Sequence, residues 1–132
     1  MKNPAIQENH LYQKAYKTGK RFVGKTVAVY VLRDYAAKRL MLANPEKRFV
    51  NRLGLSVSKK IGGAVERNRA KRVIRAAYDS LRPRLRTGNL IVISARNAIV
   101  GVKSTDVERE LTAAFTKLEL MLPEVGQTNK QA

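Results

Sequence analysis

The chain has 132 residues, which suits a single domain with one modest core, and at 44% hydrophobic residues it should fold rather than remain a disordered tail. It carries 27 Lys and Arg against 10 Asp and Glu, and a net charge of +17 sets a compact domain against itself unless it meets a polyanion. There is no cysteine, which excludes disulfides and thiolate chemistry and fits a cytoplasmic setting.

Nucleic acid is the natural polyanion, since each phosphate that is neutralised releases condensed counterions. An anionic membrane surface is the weaker alternative. No apolar run approaches the roughly 20 residues of a membrane span. The first residues, MKNPAIQENHLYQK, lack the apolar centre of an export signal, so no export is expected.

In chain order, Met1 to Gln7 reads as a loose lead-in. Asn9 is placed to cap a helix over about His10 to Lys17, and Gly19 to end it. Tyr12 and Tyr16 are four residues apart and share a face, with Leu11 and Ala15 one step round. Two readings of the tyrosines stand: partial core, or a stacking platform for unpaired bases. Arg21 to Lys25 reads as a short strand. Thr26 to Arg33 is a clear one, with Val27, Val29 and Val31 on one face and Ala28, Tyr30 and Leu32 on the other, so it belongs inside a sheet. From Asp34 to Val50 the pattern is less regular. Ala36 to Ala43 has helical composition, as one or two turns or as part of a long hairpin, and Asn44-Pro45 reads as a turn. Asn51 to Ser58 is the next strand. Leu53, Leu55 and Val57 face the core, while Gly54, Ser56 and Ser58 leave a face that a backbone can approach closely.

Gly62-Gly63 leads into a helix over about Ala64 to Leu81. Pro83 disfavours helical geometry at Arg82, so the helix should stop there. Asn89 to Ala95 is a strand, and Arg96 to Lys103 a loop or sheet edge. Ser104 or Thr105 caps the last helix. Thr105 with Glu108 fits a capping box, and Asp106, Glu108 and Glu110 suit the positive end of the dipole. Val107, Leu111, Ala114, Phe115, Leu118 and Leu122 form its buried stripe, and Pro123 ends it. The predicted fold class is α+β: a two-layer sandwich of order α-β-β-β-α-β-α with a four-stranded sheet. It is read as one nucleic-acid-binding domain over residues 1–122, followed by a flexible C-terminal tail, 123–132.

The helix after the glycine pair is the most informative stretch. On a helical wheel Val73, Ala77, Ala70, Leu81 and Ile74 form the core face. Arg67, Lys71, Arg82, Arg75, Asn68 and Arg72 fill the opposite arc, and Arg69 lies further round. Residues 59–86 hold ten basic residues and two acidic ones, Glu66 and Asp79, a local net of +8. An ordinary charge run is a solvated face, but a solvated helix interleaves signs and this one does not. Arginine dominates, and its planar fork suits phosphates and stacking. Asn68 sits among the arginines, where it can bond a base edge or a sugar hydroxyl. The glycine pair leaves backbone N–H groups open at a helix start, which favours an anion or is simply a tight turn.

Chemistry of the polypeptide's own is not visible. The single histidine, His10, reads as a surface or capping residue, and the ten acids are scattered except for the three at 106–110. No acid/base pair, metal cage or phosphate-binding loop is apparent. The chain reads as a nucleic-acid binder whose chemistry comes from elsewhere.

The run LSVSKKIGGAVERNRAKRVIR, Leu55 to Arg75, closely resembles the signature of the bacterial ribonuclease P protein component, and Tyr12, Tyr16 and Gly19 fit the pattern that precedes it in that family. The resemblance covers about residues 8–118. It implies a left-handed crossover between parallel strands. It also implies a protein subunit of ribonuclease P, an endoribonuclease that removes the 5′ leader of precursor tRNA with RNA as the catalyst. The polypeptide alone would then not be catalytic, and magnesium would be held mainly by the RNA subunit. The implied partners are the catalytic RNA subunit and precursor tRNA, with no membrane and no small-molecule substrate. Carried onto this sequence, contact with the RNA subunit falls to Lys59, Lys60, Arg67, Asn68, Arg69, Lys71, Arg72 and Arg75, and contact with the leader to Tyr12, Tyr16 and Tyr30. Two other classes compete: a ribosomal or RNA-chaperone protein, and a DNA-binding domain with the basic helix in a major groove.

Overall fold

Apolar side chains on both faces of Val27–Arg33 make it an interior strand, β2, flanked in the sheet on each side. The computed structural model describes residues 5–122. Its elements in order are α1 (Asn9–Thr18), β1 (Lys20–Val23), β2, α2 (Ala37–Ala43), β3 (Arg52–Ser56), α3 (Ala64–Leu81), β4 (Asn89–Ala95) and α4 (Ser104–Lys117). The irregular segment after β2 therefore contributes a short helix, α2, to the predicted order.

The sheet runs β1-β2-β4-β3. β1 pairs antiparallel with β2, and β2 with β4. β3 and β4 are parallel, with Leu53 opposite Ile91 and Leu55 opposite Ile93. A parallel pair cannot be closed by a tight turn, and α3 is the element that carries the chain across. One face of the sheet, from Val27, Val29, Val31, Leu53, Ile91 and Ile93, packs against Ala70, Ile74, Ala77 and Leu81 of α3 and Val107, Leu111 and Phe115 of α4. The two helices also meet through the rings of Tyr78 and Phe115, edge to face with centroids 6.3 Å apart. The other face is covered by α1, through Ala15, and by Ile6 of the segment before it, both in the cluster with Leu90 and Val92. This cover leaves room beside the helix, and the candidate site lies there.

Several local expectations are corrected. The lead-in is not loose from Ala5 onward: Ala5 bridges to Leu53, the Ile6 N–H donates to the Leu53 carbonyl at 3.1 Å, and Ile6 is buried. It covers the edge of β3 that β4 leaves open. Asn9 does not cap α1; it is the first helical residue, and Glu8 holds the cap position without a side-chain cap bond. Gly19 does end α1, but with φ −71° it is not a left-handed cap. A Cβ there would lie 2.6 Å from the Ala15 carbonyl oxygen and 3.0 Å from that of Val31, so close approach is what demands glycine. The helix α3 stops where Pro83 predicts, yet Arg82 keeps α-helical angles, because its N–H still bonds to Tyr78 and the chain passes directly into a 3-10 turn, Arg82–Arg84.

Around α4 the capping box is absent. Lys103 precedes the helix, without a side-chain cap. Glu110 serves the β1–β2 turn instead: its carboxylate accepts from the Thr26 N–H, the Thr26 hydroxyl and the Val27 N–H at 2.9, 2.8 and 3.1 Å. Gly24 is glycine because a Cβ would strike that carboxylate. The helix also ends at Lys117, well before Pro123. The Leu120 N–H reaches back to the Phe115 carbonyl, and the Glu119 N–H to that of Thr116, with Glu119 at φ 61°. This is a Schellman closure with glutamate in the left-handed position. It turns Leu120 into the core and leaves Leu122, expected to be buried, 41% exposed. Met121 then bridges to Leu85. The tail, 123–132, lies outside the described residues, as do the first four.

Candidate nucleic-acid interface

Tyr12, Tyr16 and Tyr30 come together on the outer face of the sheet, each half-buried. The glycine at position 54 is what admits the first of them. A Cβ at Gly54 would stand 2.7 Å from three atoms of the Tyr12 ring, so a side chain, rather than the backbone expected from the sequence, uses the space. Burial and the neighbouring Tyr16 push the Tyr12 hydroxyl above the ordinary tyrosine value, against a hydrogen bond with the Leu55 backbone, so Tyr12 stays neutral at physiological pH. Tyr16 meets Tyr30 edge to face, with centroids 4.9 Å apart and planes at 83°. Each of the two sequence readings holds for part of these rings. One side packs on the Leu90 and Val92 cluster, and Tyr12 and Tyr16 also line an open groove of about 570 Å³, with Gln7, Asn9, Gln13 and Ser56 around it.

Ser56 ends β3 and lines that groove. Three residues further, within about 10 Å of extended chain, Lys59 and Lys60 are exposed on a 3-10 turn, Lys59–Ile61, anchored by buried Ile61. Gly62 follows at φ 146°, a conformation open essentially to glycine alone. The Glu66 side chain lies against this turn, so a carboxylate of the chain itself stands at the positive end of α3.

Along α3, Asn68, Arg72 and Arg75 are exposed, and Arg67 and Lys71 half-exposed. Spacings of four residues, Arg67–Lys71–Arg75 and Asn68–Arg72, place them as adjoining rows on one side. The Arg67 Nε reaches only the Gly63 carbonyl, at 3.4 Å. Arg69 is set apart from this stripe. Its Nη2 donates to the Val102 carbonyl at 3.2 Å and ties α3 to the segment that precedes α4.

Sequence reasoning passed over one cluster next to the site. Arg52 grips Asp34 in a two-pronged bond, Nε to Oδ2 at 2.8 Å and Nη2 to Oδ1 at 3.0 Å, and holds Glu8 through Nη1 at 3.1 Å. Burial alone would raise the Asp34 carboxyl, but the Arg52 bonds and the Ala36 N–H hold it below its ordinary value. Arg52 thereby joins the start of β3 to the end of β2 and to the start of α1, the helix that carries the tyrosines. The signal in the sequence is faint: one arginine among 27 basic residues, opening a strand.

Among the described residues no three of His, Asp or Glu converge. These residues do not fit a magnesium cage, and none of them stands as an acid/base pair in the groove. The arrangement can bind: rings for bases, a basic stripe for phosphates, and hydroxyls and amides for sugars and base edges.

Comparison with known proteins agrees with this picture. The family model for ribonuclease P matches residues 1–119. The ribonuclease P protein component of Clostridium acetobutylicum is 34% identical over 122 residues, covering 92% of this chain and 94% of that one. That of Shouchella clausii is 32% identical over 131 residues, covering 99% and 98%. The solved ribonuclease P protein of Staphylococcus aureus superposes with a TM-score of 0.71 at 25% identity, over 91% of this chain and 99% of that chain.

Proposed function

Since the chain belongs to the ribonuclease P protein family, we propose that its two surfaces divide the work of that enzyme's protein subunit, α3 docking on the catalytic RNA and the tyrosine groove holding the single-stranded 5′ leader of precursor tRNA. The protein is a subunit of a ribonucleoprotein endoribonuclease that acts in tRNA 5′ maturation. The observation that carries the division of labour is the juncture at the end of β3, where Ser56 lines the tyrosine groove and Lys59, three residues on, opens the basic stripe. An RNA subunit held on Lys59, Lys60, Arg67, Asn68, Lys71, Arg72 and Arg75 lies next to a leader stacked on Tyr12 and Tyr16.

The protein contributes binding and orientation. Hydrolysis, with its magnesium, belongs in this reading to the RNA subunit. The reading places the protein in the cytoplasm. Among the described residues no helix is long and apolar enough to cross a membrane.

The test is cleavage of precursor tRNA at physiological salt by the RNA subunit with magnesium, with and without the protein. The protein should stimulate cleavage and should cleave nothing by itself. No stimulation, with equal affinity for unrelated structured RNAs, would point instead to a general RNA chaperone. Tighter binding to duplex DNA than to RNA at matched salt would point to a major-groove reader.

A further inference from the structure

Helix α1 divides the outer face of the sheet into two grooves. The tyrosine groove runs along one flank. Along the other, a hollow of about 230 Å³ is bordered by His10, Leu11, Lys14, Arg33, Tyr35 and Arg39. It shares Arg33, Asp34 and Tyr35 with a wider depression of about 680 Å³ that adds Lys38 and Phe49. The wider depression falls in the range of roughly 300–1,000 Å³ typical of ligand sites, and the hollow continues it along α1.

The lining has the chemistry of a strand-binding surface. Tyr35 is 80% exposed and Phe49 47% exposed. Lys14 Nζ stands 4.8 Å from the centre of the Tyr35 ring, a cation–π contact that steadies the ring. Arg33, Lys38 and Arg39 are also exposed. The carboxylates on this side are Glu8 and Asp34, and Arg52 engages them both. The field over the rings is therefore cationic.

The two grooves meet at the first turn of α1. Gln7 and Asn9 border the tyrosine groove, while Glu8 and His10 border the second one. A strand that leaves the first groove at Asn9 needs only to round that turn to reach Tyr35. The Ser56 side of the first groove, at the end of β3, leads instead through the Lys59–Ile61 turn to α3, where the RNA subunit is placed.

We propose that this second flank of α1 is a further nucleotide-stacking site, and that its occupant is the distal, 5′ part of the same precursor-tRNA leader after it rounds the start of α1. The proposal rests on the leader assignment above. Tyr35 offers a face to a base, and Lys14, Arg33 and Arg39 offer charge to the phosphates that follow.

The experiment uses the holoenzyme assembled with its RNA subunit. It compares affinity for precursor tRNAs with leaders of about five and about ten nucleotides, lengths within the span that such grooves cover, and for mature tRNA. Tyr35→Ala should weaken binding of the longer leader by roughly fivefold, the low end for one exposed stacking contact. It should leave the short leader and mature tRNA unchanged, and Tyr35→Phe should bind like the parent. Tyr16→Ala serves as the control for the first groove and should weaken both leaders. If Tyr16→Ala acts on neither, the leader assignment fails. If Tyr16→Ala acts and Tyr35→Ala spares the long leader, the second site fails. Equal loss with Tyr35→Ala on all three RNAs, or weaker assembly with the RNA subunit, also overturns it, assigning this flank to the subunit.

Discussion

Arg67 and Arg69 stand two residues apart in the same signature, yet they face different surroundings. Arg67 lies on the exposed stripe and is tied only to its own helix start. Arg69 donates to the Val102 carbonyl across the fold. Arg67→Ala should weaken assembly with the RNA subunit by about 1–3 kcal/mol, as for charge-assisted bonds, and leave thermal unfolding unchanged. Arg69→Ala should lower unfolding stability by about 1 kcal/mol as well, since it leaves a partly buried carbonyl without its donor. Melting curves beside RNA-subunit binding decide this, and identical behaviour of the two variants would sink it. Asp34 makes a second residue-scale case. Its folded value is depressed below 3.8 by Arg52, so its contribution is present in full above that pH and lost as pH falls through the folded value. Acid unfolding should therefore steepen below about pH 4. Asp34→Asn should flatten that limb and cost on the order of 3 kcal/mol at neutral pH, as when a buried pair loses one partner.

At the scale of elements, α1 carries two of the three tyrosines of the site. It packs on its face of the sheet beside Ile6, with buried Ala15 as its anchor, and its seat depends on two devices: the Tyr12 ring in the space above Gly54, and the Arg52 bond to Glu8 at its start. Gly54→Ala keeps the strand but puts a methyl into the Tyr12 ring. The ring, and α1 with it, must lift. The expected result is a loss of about 1–3 kcal/mol in stability, as for overpacking, with a loss of preference for precursor over mature tRNA. Assembly with the RNA subunit should stay intact, because α3 packs on the opposite face. Competition binding of the two tRNAs measures this, and an unchanged preference would contradict the groove assignment.

For the whole molecule the governing quantity is charge. A net of +17 on 132 residues makes RNA affinity steeply dependent on salt, with log K falling by roughly 0.7–0.9 per phosphate neutralised for each decade of salt. Replacing Lys59 and Lys60 together by alanine should reduce that slope by about 1–2 for the RNA subunit, one unit or less for each phosphate released. The slope for leader discrimination should stay the same, since Lys59 and Lys60 lie outside both leader grooves. Titrations at a series of salt concentrations check both, and a slope unchanged by the double variant would remove these lysines from the interface.

Much was legible in the sequence because the signals were local. Alternation placed β2 and β4, the 3.6-residue period placed the buried side of α3, the uneven charge marked its outer side, and the signature from Leu55 to Arg75 carried the family. Features that depend on what a side chain meets across the fold were not legible. Pattern alone cannot show that Gly54 makes room for Tyr12, that Glu110 closes a turn 84 residues away, or that Arg52 joins three elements. Nor could it separate Arg69 from Arg67, since a helical wheel gives direction and not neighbours. The sequence by itself determined that this chain carries a large excess of positive charge, concentrated on one side of one arginine-rich helix, because charge and period are properties of the chain. Only the tertiary structure decided that three tyrosines cluster on one face of the sheet, with Tyr12 and Tyr16 lining a groove beside the end of β3, and that a second groove opens on the far side of α1, because these contacts exist only once the sheet brings distant segments together.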